Sequence, residues 1–293
     1  DDTRYQKWKH GDKLTVEWIN GQIEATVIKD EMIDMEFGTG VMTITPWHSH
    51  EDFALAEKYK IDKEQIIDKY GKLLPIAGEF AGMKIVDARE KIVEKLKAKG
   101  LLVSADENYV HRVATAERTG CVIEPQIMLQ WFIDVNKKIK ERGNKSLKEL
   151  MLEPIKNKEI SILPDRFEKV YYNWVENLRD WCISRQIWYG HRIPVWYRST
   201  PLTTSKEEIF CDTEAPTEPG WVQDEDTLDT WFSSGLWTFS TLGWPEQTAD
   251  LKNYHPTSLI ETGHDIIFFW VARMILMSQY LLGEVPFKDI YFH

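Results

Sequence analysis

Cysteine is scarce in this chain. There are three in 293 residues, Cys121, Cys182 and Cys211, far apart and odd in number. That argues against a disulfide framework and fits a reducing compartment, so a cytoplasmic protein is expected. Positive charge is also short: 36 Lys and Arg against 47 Asp and Glu leave a net charge of −11. Such a balance disfavours a general nucleic-acid binder, and DNA is not an expected partner. A local basic patch would still suit RNA, and residues 137–148 carry Lys137, Lys138, Lys140, Arg142, Lys145 and Lys148; a solvated helix face explains that run equally. No long apolar run is free of charge. The run at 266–282 holds Arg273 in its middle and Gln279 near its end, with Asp265 just before it. A charge at a bilayer centre costs at least a few kcal/mol, so a buried helix and no membrane is the expectation. The first residues show no charged-then-apolar leader, so no secretion signal is expected. No repeat is visible.

What is present is a sequence of ordinary globular composition, 43% hydrophobic and 28% charged, long enough for one large domain or two average ones. Residues 13–18, 23–28 and 41–45 alternate and are rich in β-branched side chains, which predicts strands. A short helix is expected over 51–60. A second, over 87–99, would be capped by Asp87, carry Ile92, Val93 and Leu96 on its apolar face and stop at Gly100. This mixed block, 1–125, reads as one domain. A connector over 126–165 contains strand-like 130–133 and short helices. From Phe167 the sequence turns aromatic (Tyr171, Tyr172, Trp174, Trp181, Trp188, Tyr189, Trp196, Tyr197) and forms a third block, 166–293. Within it, 199–223 is rich in Thr, Ser, Pro and Glu and reads as an exposed insert.

Two constellations carry chemistry. The first is Asp226-Thr-Leu-Asp-Thr-Trp-Phe-Ser-Ser-Gly235 followed by Thr262-Gly-His-Asp-Ile-Ile-Phe-Phe-Trp270. Residues 258–261 suit a short strand, Gly263 a turn, and the apolar run a helix. That junction puts Gly263 and Asp265 at a helix start on the carboxyl edge of a sheet, where α/β folds bind nucleotides and a carboxylate takes ribose hydroxyls. Ile266 would lie one turn before Trp270 on the same helical face. With Trp231 these side chains would shape a small rigid apolar pocket; plain core packing accounts for them as well. The second constellation is Phe37-Gly-Thr-Gly-Val-Met-Thr-Ile-Thr-Pro-Trp-His-Ser-His-Glu-Asp-Phe53. Gly38 and Gly40 suit a tight turn, and Pro46 ends the strand. His48, Ser49, His50, Glu51 and Asp52 crowd a loop that opens a helix. His-x-His beside carboxylates offers metal ligands, yet no further His or Cys completes the set, so no metal is expected. A capped helix start is the other reading.

Residues 224–246, 263–274 and 285–293 resemble the class I aminoacyl-tRNA synthetases, and within them the valyl branch. Isoleucyl enzymes resemble the first segment more loosely and lack the Ile-Ile-Phe-Phe-Trp run. The resemblance implies that Trp231, Ile266 and Trp270 line a valine pocket and that Gly263 and Asp265 hold the adenosine ribose. His264 stands where the family usually has Phe. The second constellation looks like the editing domain inserted in valyl, isoleucyl and leucyl enzymes. There Asp52 would bind the ammonium of the mischarged amino acid, with Thr45 and His48 lining the site. Thr43 and Ser49 replace the usual Lys and Asp. The segment Arg179–Pro194 is a third match, with a mainly structural role expected for Arg185, Gln186, His191 and Arg192. Paired cysteines hold zinc near 199–223 in relatives; only Cys211 is present here.

The fold implied is α/β: a mixed α+β, barrel-like editing domain followed by part of a doubly wound Rossmann-like catalytic domain. The function implied is ligation of valine to tRNA(Val) with ATP and its Mg as co-substrate, plus hydrolysis of mischarged Thr-tRNA(Val). A monomer is expected. The family's phosphate-binding signatures do not occur in this sequence, so the chain is expected to be an internal fragment, inactive in aminoacylation alone. The alternatives are an isoleucyl or leucyl fragment, or a stand-alone tRNA-binding or deacylating module.

Overall fold

The computed structural model describes every residue except 1, 107, 111 and 200–206. Backbone contacts divide the chain into two units, Asp1–Met128 and Leu129–His293. The second therefore includes most of the stretch expected to be a connector. The reason is packing: Leu147, Leu150, Met151 and Ile155 of that stretch belong to its hydrophobic core.

In the first unit, β1 (Lys13–Trp18) and β2 (Gly21–Thr26) pair in an antiparallel hairpin. Gly21, at φ +123°, adopts a backbone that side chains other than glycine rarely reach. Helix α1 (His50–Tyr59) starts on Ser49, whose hydroxyl accepts from the Asp52 amide, and ends on a left-handed Lys60. Helix α2 (Ile85–Ala98) starts two residues earlier than expected, and Asp87 lies inside it rather than capping it. Gly100, at φ +69°, follows its end as expected. The barrel-like sheet is not seen: among the described residues, this hairpin is the unit's only strand pair, beside three isolated bridges. Residues 41–45 form no ladder. Their alternation suits a strand, but a strand exists only when a neighbour takes its amides and carbonyls.

In the second unit, α3 (Leu147–Lys156) opens on a capping box: Ser146 accepts from the Glu149 amide and Glu149 from the Ser146 amide. Then come β3 (Ser161–Leu163) and α4 (Arg166–Glu176). Tyr171 of α4 is fully buried and donates its hydroxyl to the Met151 carbonyl at 2.9 Å. Next, β4 (Val195–Ser199), β5 (Glu207–Cys211) and β6 (Val222–Gln223) form an antiparallel sheet with β4 in the middle. The segment expected to be a plain exposed insert thus supplies two strands, while 200–206 lie outside the described residues.

Short helices α5 (Thr230–Ser234), α6 (Trp237–Ser240) and α7 (Ala249–Tyr254) lead to β7 (Thr257–Thr262), α8 (Ala272–Leu281) and β8 (Phe287–Phe292). Strands β7, β8 and β3 form a parallel sheet in that order, with Ile260, Ile290 and Ile162 in register across it. All three isoleucines are buried. The β7–α8–β8 passage is one βαβ unit, as a parallel pair requires. Residues Ala272 to Ser278 are all buried, which accounts for the continuous apolar run. Among the described residues no helix is long and apolar enough to cross a membrane.

Candidate active and editing sites

Two places gather the residues singled out by sequence, one in each unit.

In the second unit, β7 ends at buried Thr262, and Gly263 leads into a 3-10 turn, His264–Ile266. Gly263 has ordinary angles, φ −63° and ψ 143°. The absence of a side chain gives the carboxylate its place: a Cβ would stand 2.5 Å from Asp265 Oδ1, so the Asp265 side chain would have to turn away. The carboxylate is thus folded against the turn at the carboxyl edge of the parallel sheet, and it is exposed. His264 stacks on Phe167 at 5.2 Å, and its Nδ1 lies 3.1 Å from the His293 carbonyl. An imidazole therefore fills an aromatic's place by ring stacking.

The apolar run does not continue as a plain α-helix. Residues Ile267–Val271 form a π-turn before α8 begins. Ile266 ends the 3-10 turn and Trp270 lies in the π-turn, so the two are joined by irregular helix rather than by a regular α-helical turn. Trp270 donates its indole N–H to the Ser234 carbonyl at 3.1 Å and meets Trp237 at 5.9 Å. Trp231 stacks on Phe269 at 5.7 Å. Both tryptophans are half-buried against the core cluster. Gly235 lets α5 approach α8 closely, since a Cβ there would lie 3.0 Å from Met277 Cγ and 3.2 Å from the Arg273 carbonyl.

Beneath this lies a buried polar group whose members sequence reasoning did not join. Asp229, just before α5, accepts from Trp181 Nε1 at 3.1 Å and pairs with Arg185 at 3.2 Å. Arg273 is 4% exposed, with its guanidinium 3.9 Å over Trp181 and 4.8 Å over Phe268. Burial pulls Arg273 down to about 10, against the attraction of Asp229. In the sequence Arg273 stands out only as the charge within the apolar run at 266–282. A lone cation in an apolar helix was the available signal, since a buried charge needs a partner.

In the first unit, Asp52 is 4% exposed. Its Oδ2 accepts from the Thr45 amide at 2.7 Å and lies 3.4 Å from the Thr45 hydroxyl. Its Oδ1 is buried and has no hydrogen-bond partner among the described residues. His48 is fully engaged: Nε2 accepts from the Ile66 and Ile67 amides at 3.2 and 3.1 Å, so Nδ1 carries the proton and donates to the Pro125 carbonyl at 3.1 Å. Trp47 donates to Gln126 Oε1 at 3.1 Å. The strap at 124–126, some 77 residues away in sequence, was not foreseen as part of this site.

The outlying candidates are also tied within the protein. Arg192 donates to the carbonyls of Asp224 and Gln223, and Gln186 to Asp226. In the basic stretch, Lys138 pairs with Glu149, Lys145 with Glu153, and Arg142 donates to the last carbonyls around α8. These three cations therefore cap and pair within the protein. Among the described residues, no three His, Cys, Asp or Glu side chains converge as metal ligands.

A parallel sheet with a glycine–aspartate turn at its carboxyl edge, beside aromatic side chains, is the architecture of a nucleotide-using α/β enzyme. The family model for class I tRNA synthetases (I, L, M and V) matches residues 24–293, and the chain belongs to that family. Its relatives are more specific. It is similar to the valine--tRNA ligase of Petrotoga mobilis, with 47% identity over 270 residues, 91% of this chain and 30% of that protein. The valine--tRNA ligase of Pseudothermotoga lettingae is 44% identical over 295 residues, 100% of this chain and 33% of that protein. That of Thermotoga maritima is 43% identical over 296 residues, 100% of this chain and 32% of that protein. The chain thus spans roughly a third of the length of these curated relatives.

Proposed function

We propose that this chain is the part of a valine--tRNA ligase that holds the amino-acid pocket and adenylate ribose site, together with the amino-acid end of the editing site. The carrying observation is the junction after β7, where Gly263 and Asp265 stand at the sheet edge with Trp231 and Trp270 packed on adjoining elements. Relatives named valine--tRNA ligase over nearly the whole chain support the same reading.

In this reading Asp265 takes the ribose hydroxyls of ATP and then of valyl-adenylate, and Gly263 keeps the turn slim enough for both. Trp231, Trp270 and Ile266 bound the valine side chain. The valine carboxylate attacks the α-phosphate, so the protein's contribution is positioning and charge stabilisation rather than a protein nucleophile. Mg enters with the nucleotide; the described residues offer no cluster to hold it, and no step here depends on it. tRNA(Val) receives the valyl group at its terminal adenosine. The setting is the cytoplasm, and the working form a monomer.

An apolar pocket excludes a larger side chain by clash but cannot strongly reject threonine, which has valine's shape. Hydrolytic editing supplies the difference. Here Asp52 Oδ1 receives the ammonium of a misattached threonine, which would satisfy an otherwise unpaired buried acceptor. Thr45 fixes the carboxylate, and His48 fixes the loop around it. The barrel-like form expected for 1–125 belongs to this reading of the whole enzyme.

The test has two arms. The 293-residue chain alone should show no valine-dependent ATP–pyrophosphate exchange; detectable exchange would sink the fragment reading. In the full-length enzyme carrying this segment, Asp52→Asn should slow Thr-tRNA(Val) hydrolysis about 10- to 100-fold, the worth of one charge-assisted hydrogen bond. Aminoacylation with valine should stay within about twofold. The orphaned Asp52 oxygen also favours a second reading, a stand-alone deacylating module. That reading requires the isolated chain to hydrolyse Thr-tRNA faster than buffer, with the gain lost in Asp52→Asn.

A further inference from the structure

Two separate lines of contact run from Arg273 to Trp231. On one, the guanidinium lies over Phe268 at 4.8 Å, Phe268 meets Phe269 edge-on at 5.4 Å, and Phe269 stacks on Trp231 at 5.7 Å. On the other, the guanidinium lies over Trp181 at 3.9 Å, and Trp181 donates its indole N–H to Asp229 at 3.1 Å. Asp229 immediately precedes α5, whose second residue is Trp231. The backbones are also close: a Cβ on Gly235 would lie 3.2 Å from the carbonyls of both Arg273 and Trp231.

The arrangement is costly for a residue with no task. Arg273 is 96% buried, and its Nη1 has no hydrogen-bond partner among the described residues. A buried cation of this kind is tolerated when aromatic faces and a nearby carboxylate offset its lost hydration. Trp181, Phe268 and Asp229 supply those here, and burial still lowers its proton affinity. A methionine or leucine in the same space would avoid the desolvation. What they would lack is a flat cation that holds two aromatic rings at fixed angles.

We propose that Arg273 is a positioning residue of the valine pocket: stacked between Trp181 and Phe268, it fixes through Phe269 and Asp229 the orientation of the Trp231 indole, and so the width of the pocket. This rests on Trp231 bounding valine, as argued above. Arg273 itself need not touch the substrate.

The test uses the full-length enzyme carrying this segment and valine-dependent ATP–pyrophosphate exchange, with valine, isoleucine and ATP varied separately. Arg273→Met should raise KM for valine about tenfold, leave KM for ATP within about twofold, and weaken the preference for valine over isoleucine. Arg273→Lys, which keeps the charge but not the flat stack, should restore little of this. Phe269→Ala leaves the buried charge in place and cuts one line of contact, so it should reproduce the valine-specific defect even where Arg273→Met fails to fold. Equal rises in both KM values, or a fall in kcat that only tracks a lower melting temperature, would overturn the proposal. Trp231→Ala separates the two readings. If it raises KM for valine while Arg273→Met and Phe269→Ala do not, the positioning role fails and the pocket stands. If Trp231→Ala leaves KM for valine unchanged, the pocket reading fails, and the proposal with it.

Discussion

Asp52 and His48 sit four residues apart, and their surroundings divide the labour between them. Asp52 spends one oxygen on the Thr45 amide and keeps the other unpaired in the interior. His48 keeps nothing back: two amides reach its Nε2, and its Nδ1 reaches a carbonyl. A ring so engaged holds the loop in place. His48→Ala therefore removes three hydrogen bonds at a half-buried place and should lower stability by about 2 kcal/mol, read as a shift of the urea midpoint at constant slope. An unchanged midpoint with lost Thr-tRNA hydrolysis would instead put the imidazole in the chemistry. Thr43 is exposed and has no role that this geometry explains.

At the scale of elements, α3 shows how one side chain sets a helix's response to acid. Glu149 closes the capping box on Ser146 and accepts from Lys138 at 2.5 Å. The hydrogen bond from Lys138, then that from the Ser146 amide, hold its carboxyl down at about 2, below the ordinary 4.5. The folded value is the depressed one, so the stabilisation is fully present above pH 4.5 and is lost as pH falls from 4.5 towards 2. Glu149→Gln should flatten the decline of melting temperature in that window while changing little at pH 7 beyond a uniform offset; an unchanged acid slope would show that the carboxylate is not the titrating cap. The capping box was not read from sequence, although Ser146 and Glu149 have its spacing. The elements that were read carry local signals. Alternation gave β1 and β2, and the break at Pro256 gave β7 to within a residue at either end. Alternation also suggested a strand at 41–45, where it misled, because a pattern of faces says nothing of a partner. The π-turn at Ile267–Val271 was invisible for a related reason: periodicity assumes 3.6 residues per turn and so smooths over an added residue. The residues proposed for the pocket and the ribose are legible because their motifs are contiguous in sequence. The Asp229–Trp181–Arg273 group spans distant segments, so no window over the sequence could assemble it.

Across the whole molecule, burial is unevenly shared. The hydrophobic cluster lies entirely within the second unit, around α3, α4, α8 and the β7–β8–β3 sheet, with Tyr171, Phe239, Phe287 and Met274 fully buried in it. In the first unit, the buried apolar residues among those described are Leu55, Ala56, Phe80 and Ala88. Residues 101–128 there lie in no helix or ladder among the described residues and leave Val103, Val110 and Ile123 exposed. Local opening free energy follows buried apolar contacts and hydrogen-bonded backbone, so the two units should open at different cost. Amide hydrogen exchange of the 293-residue chain at neutral pH is the measurement. The amides of α8, β7 and β8 should be the slowest. Those of α1, α2 and the β1–β2 hairpin should exchange faster by about 100-fold or more, a gap of roughly 3 kcal/mol that a few core side chains account for. Within 112–128, the amides of Ala116, Gly120 and Ile123, which meet backbone carbonyls around the Thr115–Val122 bridge, should exchange more slowly than their neighbours. Uniform protection across both units would mean that the first is stabilised by contacts other than its own core, and the division into two packing units would then have to be given up as an account of stability.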